Sequence, residues 1–186
     1  MDRRLTRRAA LAAAGGVVAG IGLAGRRSVA SSLAVTEIAP GVFVHPGVHE
    51  LATAGNLGGI ANIGFIVGEK AVAVIDSGGC ARAGARLRAA IRAATDLPIR
   101  YVIASHVHPD HLFGHAAFLA DRPSFAGHAK LPAALAARGA YYLERLREEF
   151  GEVAAGTEVV MPTLTVTDRA EIDLGGRTLQ LVAHET

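Results

Sequence analysis

The stretch Tyr101-Val102-Ile103-Ala104-Ser105-His106-Val107-His108-Pro109-Asp110-His111 passes from an apolar strand pattern straight into six residues that carry three imidazoles and one carboxylate. In an extended segment residues i and i+2 project to the same side, so His106 and His108 reach one ion together. A turn at Pro109 aims Asp110 and His111 at a neighbouring point. Imidazole nitrogen and carboxylate oxygen suit a borderline metal such as zinc when no thiolate is offered. The spacing therefore supplies two ligands to each of two adjacent metals, an arrangement that clamps both sides of a hydrolytic displacement. Its place at the C-terminal end of a strand is where α/β folds collect their sites.

Working outward, Ile63–Val67 and 71–75 are β-rich runs joined by Gly68-Glu69-Lys70, a hairpin signature, and Val42–His45 is a further short strand. The run 71–75 ends in the turn Asp76-Ser77-Gly78-Gly79. Residues 81–95 read as a helix with Leu87, Ala90, Ile91 and Ala94 on its buried stripe and Arg82, Arg86 and Arg92 on the solvated side. A short helix is expected around 115–120 and a strand at Ser124-Phe125-Ala126. A longer helix should run from Pro132 to about Phe150, with Leu135, Tyr142 and Leu146 on one face. Residues 151–169 read as irregular with a short strand at 158–160. A second hairpin, 170–174 with 178–182, turns at Gly175-Gly176.

His-x-His-x-Asp-His after a strand resembles the metallo-β-lactamase superfamily. Val74-Ile75-Asp76-Ser77-Gly78 is similar to that family's Asp-containing turn, and the order of hairpin, Asp turn, helix, strand and His motif matches the first half of its αββα sandwich. The resemblance covers about residues 37–186. It implies an α/β fold, the N-terminal half to two-thirds of that sandwich. By the resemblance His106 and His108 are ligands of the first metal, and Asp110 and His111 belong to the second. Asp110 also accepts a proton from the attacking water, and Asp76 orients the His loop through hydrogen bonds. The plainer reading of Asp76 is a turn residue that ends a strand. More narrowly, Asn62-Ile63-Gly64-Phe65-Ile66-Val67-Gly68, Leu97-Pro98-Ile99-Arg100-Tyr101 and His106 to Gly114 resemble the quinoprotein relay system zinc metallohydrolases, exported proteins linked to periplasmic quinoprotein dehydrogenases.

The implied function is an exported zinc hydrolase, its metal-activated hydroxide attacking an ester, thioester or lactam-like bond of a small-molecule substrate. Two Zn2+ per complete protein are implied, with iron or manganese as alternatives. An iron-dependent oxygenase of the same superfamily is a second reading. A non-catalytic metal-binding accessory protein of a periplasmic quinoprotein dehydrogenase system is a third. The family's third motif, His-Thr-Pro-Gly-His, follows a strand. Here Leu179-Gln180-Leu181-Val182 leads only to Ala183-His184-Glu185-Thr186. Aligned on the strand, His184 takes the place of that motif's first, non-ligand His; the alternative is that it substitutes as a third ligand. The sequence thus reads as C-terminally incomplete, with two protein ligands per metal where catalytic zinc usually has three, and weak metal binding and slow hydrolysis are expected of it.

Residues 1–30 read as a targeting segment. Four Arg in the first eight residues, the uncharged Ala/Gly-rich run 9–24 and the small-x-small site Ser28-Val29-Ala30 form a signal peptide pattern. Thr6-Arg7-Arg8-Ala9-Ala10-Leu11 resembles the twin-arginine export signal, implying a periplasmic mature chain from residue 31 with no stable membrane insertion. The formal charge of +2 owes six Arg and one Asp to this segment; the remainder holds 13 basic and 16 acidic residues, a balance of −3. Nucleic-acid binding is therefore not expected. The single cysteine, Cys80, excludes a disulfide framework or a cysteine zinc finger within the chain and reads as a small buried thiol. His115 shares a helical face with His111 but is left out of the ligand set, which the motif already fills. His128 reads as a strand-end histidine with a structural hydrogen bond, His45 and His49 are not assigned to the site, and Tyr141-Tyr142 reads as helix packing.

Overall fold

The computed structural model describes residues 32–184, so the expected signal peptide of residues 1–30 lies outside the described residues. Seven strands form one sheet in chain order: β1 (Thr36–Ala39), β2 (Val42–His45), β3 (Ile63–Val67), β4 (Val72–Ile75), β5 (Ile99–Ile103), β6 (Ser124–His128) and β7 (Leu164–Val166). β1 to β4 pair antiparallel and β4 to β7 pair parallel. The change of sense follows from the connections. Gly68-Glu69-Lys70 is short enough only for a hairpin, while parallel neighbours need crossovers. Those are α1 (Ala81–Ala94), then α2 (Pro109–Leu112) with the 3-10 segment Phe113–Asp121, then α3 (Leu131–Phe150). β8 (Arg169–Asp173) and β9 (Thr178–Val182) form a separate antiparallel pair.

Alternation along β4 sorts the core into layers. Val72 and Val74 join Phe65, Leu87, Ile91, Val102, Phe118 and Phe125 beneath α1 and the 3-10 segment. Ala73 instead joins Ile103, Ala126, Ile172 and Leu174 against the hairpin. The sheet thus carries helix on one face and the β8–β9 hairpin on the other. Gly175 and Gly176 have φ of +79° and +63°, the paired left-handed conformation of a type I′ turn that glycine adopts without strain. The hairpin is pinned where Glu69 and Lys70 N–H groups donate to the carbonyls of Gly175 and Leu174, both at 2.8 Å. A third cluster packs Leu131, Leu135, Leu146 and Phe150 of α3 against Cys80, Ala83, Leu112 and Phe113.

Several local expectations need correction, and β1 and β7 were not anticipated from the sequence. No strand forms at 158–160: Val159 and Val160 pack on the cores as extended chain, and pairing with β6 begins only past Pro162, where Thr163 N–H donates to Phe125 O at 2.8 Å. Ala94 is exposed at the end of α1 rather than on its buried stripe. Arg92 is only one-third exposed rather than free in solvent, for it donates to Leu97 O at 2.8 Å and to Asp121 at 2.9 Å beside Arg88. Leu135, Tyr142 and Leu146 do share the packed face of α3, whereas Tyr141 is 61% exposed.

Candidate metal centre

β4 and β5 end side by side, with Ile75 level with Ile103, and both chains leave the sheet there into turns. Asp76, the first residue past β4, has φ of +54°, a left-handed conformation uncommon outside glycine that aspartate and asparagine tolerate best. Its N–H donates to Ile103 O at 2.8 Å. Its carboxylate, on a residue only 4% exposed, accepts three bonds: from Ser105 N–H at 2.8 Å, from Ser105 Oγ at 2.7 Å and from His111 Nδ1 at 2.8 Å. One buried carboxylate thus holds both ends of the 105–111 segment. Pro109 opens α2 at a helical position where its missing N–H costs nothing, which places Asp110 and His111 one after the other on its single turn.

These bonds fix the ring tautomers. Ser105 gives its one proton to Asp76, so at 3.0 Å it accepts from His106 Nδ1, leaving the lone pair of His106 on Nε2. That Nε2 faces His108 Nδ1 at 3.1 Å. His111 donates from Nδ1 to Asp76 and turns Nε2 towards Asp110 Oδ2 at 3.4 Å. The rings of His106 and His111 lie 4.0 Å apart between centroids, so the two pairs adjoin. The bond to Asp110, and then that to Asp76, pushes the His111 imidazole up to about 9. The hydrogen bond from His111 in turn holds the Asp110 carboxyl below its ordinary value. Burial, then the charges of His111 and His108, pushes His106 down. Metal binding at His111 Nε2 requires release of its proton, as imidazole ligation generally does.

The spacing of the donors tests whether they fit an ion. Two ligands each ~2.0–2.1 Å from a tetrahedral zinc lie roughly 3.3 Å from one another. His106 Nε2 to His108 Nδ1, at 3.1 Å, and His111 Nε2 to Asp110 Oδ2, at 3.4 Å, both match. The match extends to pairs and no further: among the described residues, no group of three or more His, Cys, Asp or Glu side chains is arranged to hold an ion.

A cleft of about 470 Å3 opens beside the pairs, lined by His106, His128, Lys130 and His184 and by apolar Leu131, Val166 and Leu181. His128 Nδ1 accepts the Lys130 N–H at 3.0 Å, the structural bond expected of it. His45 Nδ1 meets Ala34 O at 2.7 Å, remote in the chain from the motif. Cys80 is fully buried and its thiol, pushed up by burial, donates to Leu57 O at 3.4 Å. His115 is buried behind the motif, bonded to Ser77. Sequence reasoning passed over two serines, Ser105 and Ser77. The available signal was adjacency, since each sits next to a residue singled out for chemistry, His106 and Asp76.

A family model described as the metallo-beta-lactamase superfamily matches residues 57–186. Among solved structures, a metallo-beta-lactamase from Pontibacter korlensis is similar with a TM-score of 0.56 and 16% identity, over 80% of this chain and 59% of that one. TMB-1 is similar with a TM-score of 0.46 and 21% identity, over 58% of this chain and 48% of that one. At 16% identity the likeness concerns the fold, and the chain spans about 59% of the length of that first structure. No curated protein matches the chain.

Proposed function

The chain belongs to the metallo-beta-lactamase superfamily, and on that premise we propose that it is a metal-dependent hydrolase in which His106 and His108 hold one ion and Asp110 and His111 hold its neighbour. One observation carries the reading: the two donor pairs, spaced 3.1 Å and 3.4 Å, adjoin at the C-terminal end of β5. When bound, a pair of divalent metals supplies Lewis acidity towards the scissile carbonyl and lowers the pKa of water. The rest falls to the chain. Asp76 and Ser105 hold His111 and His106 in the tautomers that present Nε2. The Asp110 carboxylate, kept ionised by His111, is the group placed to accept a proton from attacking water. The adjoining cleft offers apolar walls with Lys130 and His128 at their edge, which suits a small substrate with an apolar body and a polar reacting group.

The finer identity extends the proposal. Zinc is a metal that nitrogen and carboxylate donors suit. The twin-arginine pattern at Arg7-Arg8 supports a periplasmic location, and the resemblance of three segments to quinoprotein relay system metallohydrolases supports a link to a quinoprotein dehydrogenase. Esters, thioesters and lactams form the substrate class. The test is hydrolysis of a panel of such chromogenic compounds with zinc in excess. We expect slow turnover that a chelator abolishes and that His106→Ala lowers at least ~100-fold. Turnover indifferent to both would overturn the reading.

A further inference from the structure

Behind the metal-holding loop lies a buried histidine that the proposed chemistry does not use. His115 is 3% exposed, and its Nδ1 sits 2.6 Å from Ser77 Oγ. Its Nε2 is, among the described residues, the buried side-chain polar atom without a partner, and His115 lines a narrow gap with no room for a water beside Leu112, Phe125, Leu135, Val160 and Pro162. Ser77 is itself fully buried, and its Oγ lies 3.3 Å from the carbonyl of His111, which also accepts the Ser77 N–H at 2.7 Å.

Two assignments of the protons are open to this group. With the proton on Nε2, an N–H is buried against apolar walls with no acceptor, and the Ser77 hydroxyl spends its proton on Nδ1. Orphaned buried N–H groups are rare because nothing offsets their lost hydration. With the proton on Nδ1, His115 donates to Ser77 Oγ, the hydroxyl donates onward to His111 O, and only a lone pair is left unmet. The second assignment satisfies both donors. Burial keeps the ring neutral by pushing it down to about 4, so one nitrogen alone carries a proton.

We propose that His115 is a positioning residue for the metal-holding loop, donating from Nδ1 to Ser77 Oγ, which donates in turn to the His111 carbonyl and fixes the backbone that carries Asp110 and His111. His115 touches no ion and no substrate. The inference rests on the functional reading above for its consequence, though not for its geometry.

The test uses side-chain nitrogen NMR on the full chain together with zinc affinity of four proteins. In the wild type, His115 should show Nδ1 protonated and Nε2 bare; the opposite tautomer overturns the proposal. His115→Asn sets an amide NH2 where Nδ1 stood and leaves nothing at Nε2, so it should keep zinc affinity within about twofold. His115→Leu and Ser77→Ala break the relay and should lose 10–100-fold in affinity, the usual effect of removing a residue that orients a ligand. Equal affinity for the Asn and Leu variants overturns the proposal. If the Leu variant does not fold, His115→Gln replaces it: its amide reaches the Nε2 position, lacks the donor to Ser77, and should bind zinc more weakly than the Asn variant. If the wild type takes up no zinc at all, the functional reading fails. The tautomer, and slowed exchange of the Ser77 amide in the Asn variant relative to the Leu or Gln variant, still decide the relay.

Discussion

Asp76 combines a left-handed backbone with three accepted hydrogen bonds, and each constraint has its own test. Asp76→Ala removes every acceptor and sets a β-carbon at positive φ. It should destabilise the fold by about 3 kcal/mol, since bonds to a buried charge are each worth ~1.5–3 kcal/mol and loss of one partner strands the others. Urea unfolding measures this. Asp76→Asn tolerates the backbone and keeps one acceptor for Ser105 N–H, but its NH2 opposes His111 Nδ1–H. It should retain most of the stability while losing zinc affinity 10–100-fold, read by competition with a chromogenic chelator. At this scale the convergence of His106, His108, Asp110 and His111 was legible, because their spacing after a strand and around Pro109 brings the four side chains together. Ser105 and Ser77 were not, because a serine acquires its role only from what the fold brings to within 3 Å of it.

The elements around the site are held at two places that respond to different perturbations. The first is the contact of α1 with the 3-10 segment Phe113–Asp121. Burial alone would raise the Asp121 carboxyl, but hydrogen bonds from Arg88 and Arg92 outweigh it and hold the group below 3.8. A folded-state value below the unfolded one gives stability that is present in full above the unfolded value and fades as pH falls through it towards the folded one. Unfolding free energy should therefore decline below about pH 4 with a component that Asp121→Asn removes. Both arginines are about one-third exposed, so the component is small, about 1 kcal/mol. The second place is the zipper between the turn after β4 and the start of the 3-10 segment, where Gly114 N–H donates to Gly78 O at 2.8 Å. A β-carbon on Gly114 would stand 2.0 Å from Ser77 O, which is main chain and cannot yield cheaply. Gly114→Ala should force the turns apart, lower the melting temperature by several degrees and remove metal binding with it. Thermal unfolding and zinc titration on the same sample check both halves of that statement. Helix α3 and the two hairpins were legible from periodicity and turn residues, while Arg92 was misjudged because its partner lies 29 residues along the chain.

For the molecule as a whole, the apolar runs at 71–75 and 101–104 were legible as strands, a pattern that suits a sheet covered on both faces, and the segregation of Val72 and Val74 from Ala73 shows which face meets which layer. The cleft was not legible, since it is formed where the ends of β5, β6 and β7 meet residues 180–184, far apart in sequence. The layout has one energetic consequence. Leu87 is fully buried between α1 and the sheet, so Leu87→Ala should cost about 2–5 kcal/mol in urea unfolding, a loss spread over the whole domain rather than confined to the 105–111 loop. The central claim is that three particular nitrogens bind metal, and nitrogen NMR of the histidine side chains during a zinc titration tests it most directly. His106 Nε2, His108 Nδ1 and His111 Nε2 should move together to the metal-bound range, with His45, His49, His115 and His128 unchanged. Zinc taken up at any of those four while the 106, 108 and 111 signals stay still would contradict the account.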